Sequence, residues 1–301
     1  MRAPLPLLER ATLQRLERLV LRGEQSFSGL LGGNNVSRLP GVGHEFLDHR
    51  HFQSGDDLRS VNWRAYLRLE KLFLKMFRTE PRTPVRIWMD TSESMACGSD
   101  DADEAKFPFA CRLAAALCYV GLVRLETMVL QPFTDRLGED FRSHGGRNRF
   151  AGASHFIGGL ESGGRSDFSA TVRSFLSSAP PPGLLIVISD FLDDSGCGSA
   201  LQMLADQGSE LHLIQLAGPT DRMPPWDGEL ELEDAESGEI MRVQLDREAA
   251  QEYAASYDAY SRQIEQAAMR SQGRYLQLRT DQPLEDALYG PMTQLGAVSV
   301  Q

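Results

Sequence analysis

Residues Leu184-Leu185-Ile186-Val187-Ile188 are apolar without a break and run into Ser189-Asp190. A strand with one wetted face alternates apolar and polar side chains. An unbroken apolar run therefore marks a strand buried on both faces, the situation of a parallel sheet covered by helices. The flanking sequence has the alternation that such a sheet needs. Strand patterns at 85–89, 127–133, 210–216 and 275–279 are interleaved with helix patterns at 104–126, 154–161, 167–177, 199–208 and 246–272. The first of these helices is apolar on most sides around 113–123, which places it deep in the molecule. A hairpin is expected over 228–245, turning at Glu236-Ser237-Gly238. Together the patterns predict an α/β fold with a mainly parallel central sheet and helices on both faces.

Ahead of Pro81 and Pro84 the pattern differs. Leu5, Leu8, Thr12, Leu16 and Leu19 recur at helical spacing with charged residues between them, an amphipathic helix within residues 1–24 that Gly23 stops. Residues 25–80 carry a Gly/Asn/Ser-rich stretch, a strand at 45–52, a turn at Gly55-Asp56-Asp57, a helix at 58–69 capped by Asp57, and a strand at 71–77. The domain holding the parallel sheet is expected over 81–301.

Composition narrows the function classes. The 301-residue chain is 42% hydrophobic and carries a net charge of −11. That length supports a sizeable core, and the acidic balance disfavours nucleic acid or an anionic membrane as a general partner. Lys71, Lys75 and Lys106 are the only lysines, and none follows a glycine, which excludes a P-loop. No run approaches the ~18 apolar residues of a membrane span. The first ten residues meet charge too early for a signal peptide. Cys97, Cys111, Cys118 and Cys197 form no C-x-x-C pair. Buried thiols, a cytoplasmic location, no nucleic-acid partner and no membrane insertion are the expectation.

In parallel sheets, ligands collect beyond the carboxyl ends of the strands. Two strands here end in aspartates, Asp90 and Asp190. Asp90-Thr91-Ser92-Glu93-Ser94 sets one carboxylate and two hydroxyls at alternate positions of a tight turn. Such hard oxygens suit Mg²⁺ or Mn²⁺. Asp190 adds a second carboxylate, and Ser166, after Gly163-Gly164, adds a hydroxyl from a third loop. An isolated Asp-x-Ser-x-Ser also serves as a capped turn, since both residue types bond nearby amides.

These residues resemble the von Willebrand factor A fold with its metal-ion-dependent adhesion site. The resemblance implies a metal set of Asp90, Ser92, Ser94, Ser166 and Asp190, with Ser166 standing where that family normally has Thr. It also implies an open coordination position filled by an acidic residue of a protein partner. Gly43-His44-Glu45-Phe46, Arg50, Gly55-Asp56-Asp57-Leu58-Arg59 and Asn62-Trp63, with Asp90-Thr91-Ser92-Glu93-Ser94-Met95, are similar to the bacterial "domain of unknown function 58" family over residues 41–289. On that likeness residues 25–80 are a family-specific segment. A MoxR-type AAA+ ATPase is the implied partner, in an adaptor or assembly role without enzyme activity.

Two other functions compete. A strand-end aspartate also opens Mg²⁺-dependent phosphatases and phosphotransferases, but Ser92 stands where those need a second aspartate as general acid. A scaffold with a degenerate metal loop is the other, supported by Ser in place of Thr at 166. Elsewhere, Arg59, Arg64, Arg68, Lys71, Lys75, Arg78 and Arg82 form a basic run read as a solvated face. Trp63 reads as a core residue, and Cys111 and Cys118 as packing on the buried helix.

Overall fold

The computed structural model describes residues 7–21, 45–52, 61–78, 84–97, 105–124, 126–193, 196–294 and 298–300. The chain forms two compact units, one of Met1–Gln25 with Thr83–Gln301 and one of Ser26–Arg82.

Helix α1 (Arg10–Leu16) and strand β1 (Leu19–Leu21) open the larger unit. The smaller unit holds β2 (Glu45–His51), α2 (Trp63–Leu69) and β3 (Phe73–Arg78), with β2 and β3 paired antiparallel. Val61 bridges to Leu74, and the Asn62 side chain accepts the Ala65 amide at 3.3 Å. The helix therefore starts at Trp63, later than its expected beginning at 58. The expected cap, Asp57, lies outside the described residues. Trp63 is exposed rather than part of a core, with its ring edge-on to Tyr66.

The larger unit continues through β4 (Val85–Asp90), α3 (Lys106–Val123), β5 (Thr127–Phe133), β6 (Phe141–His144), α4 (Phe150–Gly158), α5 (Phe168–Ser177) and β7 (Leu184–Ser189). It then runs through α6 (Gly198–Asp206), β8 (Glu210–Ala217), β9 (Gly228–Glu233), β10 (Ile240–Leu245), α7 (Arg247–Arg270) and β11 (Arg274–Arg279). Short elements α8 (Leu284–Tyr289), α9 (Pro291–Gln294) and β12 (Val298–Val300) close it.

Six strands form one sheet in the order β11-β8-β7-β4-β5-β6. All neighbours pair in parallel except β6, which runs antiparallel along the edge of β5. The α/β class with a mainly parallel sheet is thus the observed architecture. Every residue of β4, β7 and β8 is buried, as strands in the middle of a sheet covered on both faces are. Successive side chains of β4 enter opposite faces. Ile87 and Met89 join the core built with α3, while Trp88 joins the core built with α5 and α6. Trp88 is fully enclosed, with Phe133, Phe168 and Phe175 tilted or edge-on around it.

Helix α3 is long and apolar enough to cross a membrane by length and composition, yet 78% of it is buried inside the molecule. Its apolar surface is taken up by the core. The hairpin β9–β10 forms as expected, with its turn at residues 234–239. The N-terminal helix is shorter than its periodicity predicts. It stops at Leu16, and Leu19–Leu21 instead form a strand paired antiparallel with Val298–Val300, so that the first and last described strands close one ladder. All four cysteines are free, but Cys97 is exposed, which corrects the expectation of uniformly buried thiols.

Trp88→Ala removes the centre of one core face. It is expected to destabilise the larger unit by about 3–5 kcal/mol in urea unfolding followed by far-UV circular dichroism, and Trp88→Phe by clearly less.

Candidate functional site

The carboxyl ends of β4, β7 and β8 meet at one end of the sheet, and the side chains there are polar yet buried. Asp90, the last residue of β4, is 0% exposed. One of its oxygens, Oδ1, accepts the Ser92 amide at 2.9 Å and the Ser92 hydroxyl at 2.7 Å. The other, Oδ2, accepts the Ser189 hydroxyl at 2.5 Å, and Ser189 Oγ in turn accepts the Phe191 amide at 2.7 Å. These bonds fold the chain after β4 into a tight turn, which passes directly into a 3₁₀ turn at Glu93–Ala96. The Ser92 and Ser94 hydroxyls lie 3.0 Å apart.

A second loop is laced to this one. The Gly163 amide donates to the Thr91 carbonyl at 2.7 Å, and the Glu93 amide donates to the Gly164 carbonyl at 2.9 Å. Gly164 takes φ of +86°, a conformation that favours glycine and lets the loop double back. Asp167 then caps α5 by accepting the Ala170 amide at 2.6 Å. Ser166 sits between the laced glycines and this cap, so the loop that carries it is tied to the Asp90 turn on one side and to the start of α5 on the other.

Asp190 follows β7 and is 2% exposed. Its Oδ2 accepts Lys106 Nζ at 2.6 Å and its Oδ1 accepts the Leu192 amide at 3.1 Å. Lys106, 1% exposed, also lies 3.6 Å from Asp221 Oδ2. A cation in the first turn of α3 is opposed by the helix dipole and by burial, so the two carboxylates are what keep it there. Burial alone would lower the lysine's pKa. The charges of Asp190 and Asp221 outweigh that and hold it above its ordinary value.

Asp90 has the opposite balance. Burial, and then the nearby charge of Asp190, push its pKa up to about 7 against the hydrogen bonds from Ser189 and Ser92. Its partners among the described residues are hydrogen-bond donors and no cation. Asp190 and Asp221 thus share the ammonium of Lys106, and Asp90 takes no part in that ion pair.

The donor set fits a small hard cation. Neighbouring ligands of an octahedral ion with bonds of ~2.1 Å stand about 3.0 Å apart, the spacing found between the two serine hydroxyls. Among the described residues no three His, Cys, Asp or Glu side chains cluster as a metal site, so any ion here would depend on hydroxyl oxygens. The structure brings Asp90, Ser92, Ser94 and Asp190 to one place and laces the Ser166 loop to it.

The sequence left Lys106, Asp221 and Glu236 without a role at this site. Lys106 had one visible mark, a lysine heading the most apolar helix of a chain with three lysines. Glu236, at the tip of the hairpin, accepts the Ser166 amide through Oε2 at 3.1 Å.

The larger unit is thus a mainly parallel α/β domain with a buried oxygen-rich centre at the carboxyl end of its sheet. The profile of the family described as "Protein of unknown function DUF58" matches residues 48–263, well over half the chain, and the chain belongs to that family. It is 24% identical to the "Uncharacterized protein Rv1480" of Mycobacterium tuberculosis (strain ATCC 25618 / H37Rv) over 271 residues, 88% of this chain and 84% of that protein. The "Uncharacterized protein Mb1516" of Mycobacterium bovis gives the same identity and coverage. Among solved structures, similarity is found to BatB from Bacteroides thetaiotaomicron, at a TM-score of 0.41 and 15% identity over 71% of this chain and 98% of that chain. The SpRpn10 VWA domain is similar at a TM-score of 0.39 and 11% identity, covering 68% of this chain and 93% of that one.

Two outcomes follow from the charge balance. The folded-state pKa of Asp90 lies above the ordinary value near 4, so the fold favours its protonated form. The contribution of Asp90 to stability in EDTA is then greatest below pH ~4, declines as pH rises to about 7 and levels off above it. Asp90→Asn is expected to abolish that decline and to stabilise the EDTA-treated protein at pH 8 by roughly 2–4 kcal/mol, read from unfolding curves across pH. Lys106→Met leaves Asp190 buried without its cation and is expected to cost about 3–5 kcal/mol in the same assay, with much of the loss recovered in Lys106→Met/Asp190→Asn.

Proposed function

We propose that the carboxyl end of the sheet is a divalent-cation-dependent protein-binding site. In this reading Ser92, Ser94 and Ser166 hold Mg²⁺ or Mn²⁺, with Asp90 and Asp190 supplying negative charge around it. The ion's chemistry there is to offer a positive charge and an open position to an acidic side chain of a partner protein.

The observation that carries the proposal is the 3.0 Å pair of serine hydroxyls seated on a fully buried carboxylate that has no cation partner among the described residues. Asp90 orients Ser92 by accepting its hydroxyl proton, and the lacing of the Ser166 loop to Thr91 and Glu93 holds the third hydroxyl's loop in register. Lys106 holds Asp190 in place and reduces the repulsion between the two strand-end carboxylates. We assign the site to binding rather than turnover, because Ser92 stands where a phosphotransferase needs a second acidic group. The family likeness makes a MoxR-type AAA+ ATPase the candidate partner and an adaptor or assembly role the candidate task.

Thermal unfolding of wild type and Asp90→Ala in EDTA and across a Mg²⁺ or Mn²⁺ titration tests this. At ten times its dissociation constant the ion should stabilise wild type by about 1.4 kcal/mol, a rise of a few degrees in Tm, and leave Asp90→Ala unmoved. Identical curves for both proteins would reduce Asp90 to a turn residue. Metal-dependent hydrolysis of a phosphate ester, lost in Asp90→Ala, would replace binding by phosphoryl transfer.

A further inference from the structure

The hairpin β9–β10 projects from the domain with most of its residues exposed, yet its tip bears on the candidate site. Asp234 builds that tip. Its Oδ1 accepts the amides of Glu236 at 3.1 Å and Ser237 at 2.6 Å, and Gly238 takes φ of +71° to close the turn. The turn therefore presents Glu236 in a fixed direction. One carboxylate oxygen, Oε2, accepts the amide of Ser166. The other, Oε1, is shielded from solvent and has no hydrogen-bond partner among the described residues.

A carboxylate oxygen removed from water without a donor is costly. Burial and the charges of Asp190 and Asp234 push the Glu236 pKa up, while the Ser166 amide and the cation of Arg165 pull it down. The one lysine of the site is engaged elsewhere, on Asp190 and Asp221. What remains is a carboxylate with one oxygen anchored on the amide of Ser166 and the other unpaired among the described residues, against the loop laced to the Asp90 turn.

We infer that Glu236 is a resident acidic ligand of the metal site: the hairpin tip fills in cis the coordination position that a partner's carboxylate would take, and a partner binds by displacing it. The inference rests on the metal-dependent reading above and adds its regulation. The hairpin becomes a competitive stop on the site, and partner selectivity includes the ability to dislodge it.

The test uses the full chain as wild type, Glu236→Gln and Asp90→Ala. Glu236→Gln keeps a carbonyl oxygen to accept the Ser166 amide and removes only the charge, so the tip keeps its structure. Mn²⁺ is titrated into each protein while water-proton relaxation is measured. Binding of a fluorescein-labelled pentapeptide with one central aspartate, flanked by glycines, is followed by anisotropy with Mn²⁺ and with EDTA. The expected result is that Glu236→Gln still binds Mn²⁺, shows about one more exchangeable water per ion than wild type, and binds the peptide about tenfold more tightly. That gain corresponds to removing a competitor that fills ~90% of sites.

Equal relaxation and equal peptide binding in wild type and Glu236→Gln, with Mn²⁺ binding lost only in Asp90→Ala, would overturn the inference and leave the metal site standing. Loss of Mn²⁺ binding in Glu236→Gln would make Glu236 an obligatory ligand and overturn its role as a displaceable one. Absence of Mn²⁺ binding in wild type and Glu236→Gln alike would remove the metal reading, and this inference with it.

Discussion

A carboxyl group shielded from solvent, at the end of the central strand, is the constraint on which the rest of the larger unit turns. Asp90 cannot be left bare in that position, since an unpartnered buried charge costs several kcal/mol. Its hydrogen bonds recruit the turn that follows β4 and the serine that ends β7. Each recruited group then fixes another. Ser189 takes the amide of Phe191, whose ring packs against Phe168 at the start of α5. Phe191 itself is held at φ of +57°, unusual for a bulky residue, with its carbonyl accepting the Tyr260 hydroxyl from α7. Such strain persists where the surroundings over-determine it. A single polar centre thus ties β4, β7, α5 and α7 together.

The second requirement is neutralisation. Lys106 begins α3, which crosses the core, so its ammonium is delivered to Asp190 by the most deeply packed helix in the molecule. Packing and electrostatics are coupled here: the apolar length of α3 sets where its first turn lies, and the first turn sets where the cation lies.

The layout of the sheet was legible because its strands are short, apolar and separated by amphipathic helices. The bounds of β5 are those read from the pattern, and β7 differs by one residue. Both strand-end aspartates were visible for the same reason, since a charge that ends an apolar run stands out. The edge strand β6 was not visible, because Phe141-Arg142-Ser143-His144 has no apolar alternation and depends on β5 for its pairing. The N-terminal helix was read too long for a related reason. Leu19, Val20 and Leu21 fit a helical period locally, but their strand form is decided by residues nearly 280 positions away along the chain. Glu236 illustrates the general limit. Sequence located the turn that carries it, and only the folded chain brings that turn to Ser166.

The ion pair of Lys106 has a consequence for the chemistry of the chain in solution. Beyond residue 82, Lys106 is the single lysine, and it is 1% exposed with its nitrogen held by Asp190. Acylating reagents need a neutral, accessible amine, and this one is neither while the site is closed. Its acylation therefore requires the strand ends and the start of α3 to part, so the rate of that one modification is a clock for local opening at the polar centre.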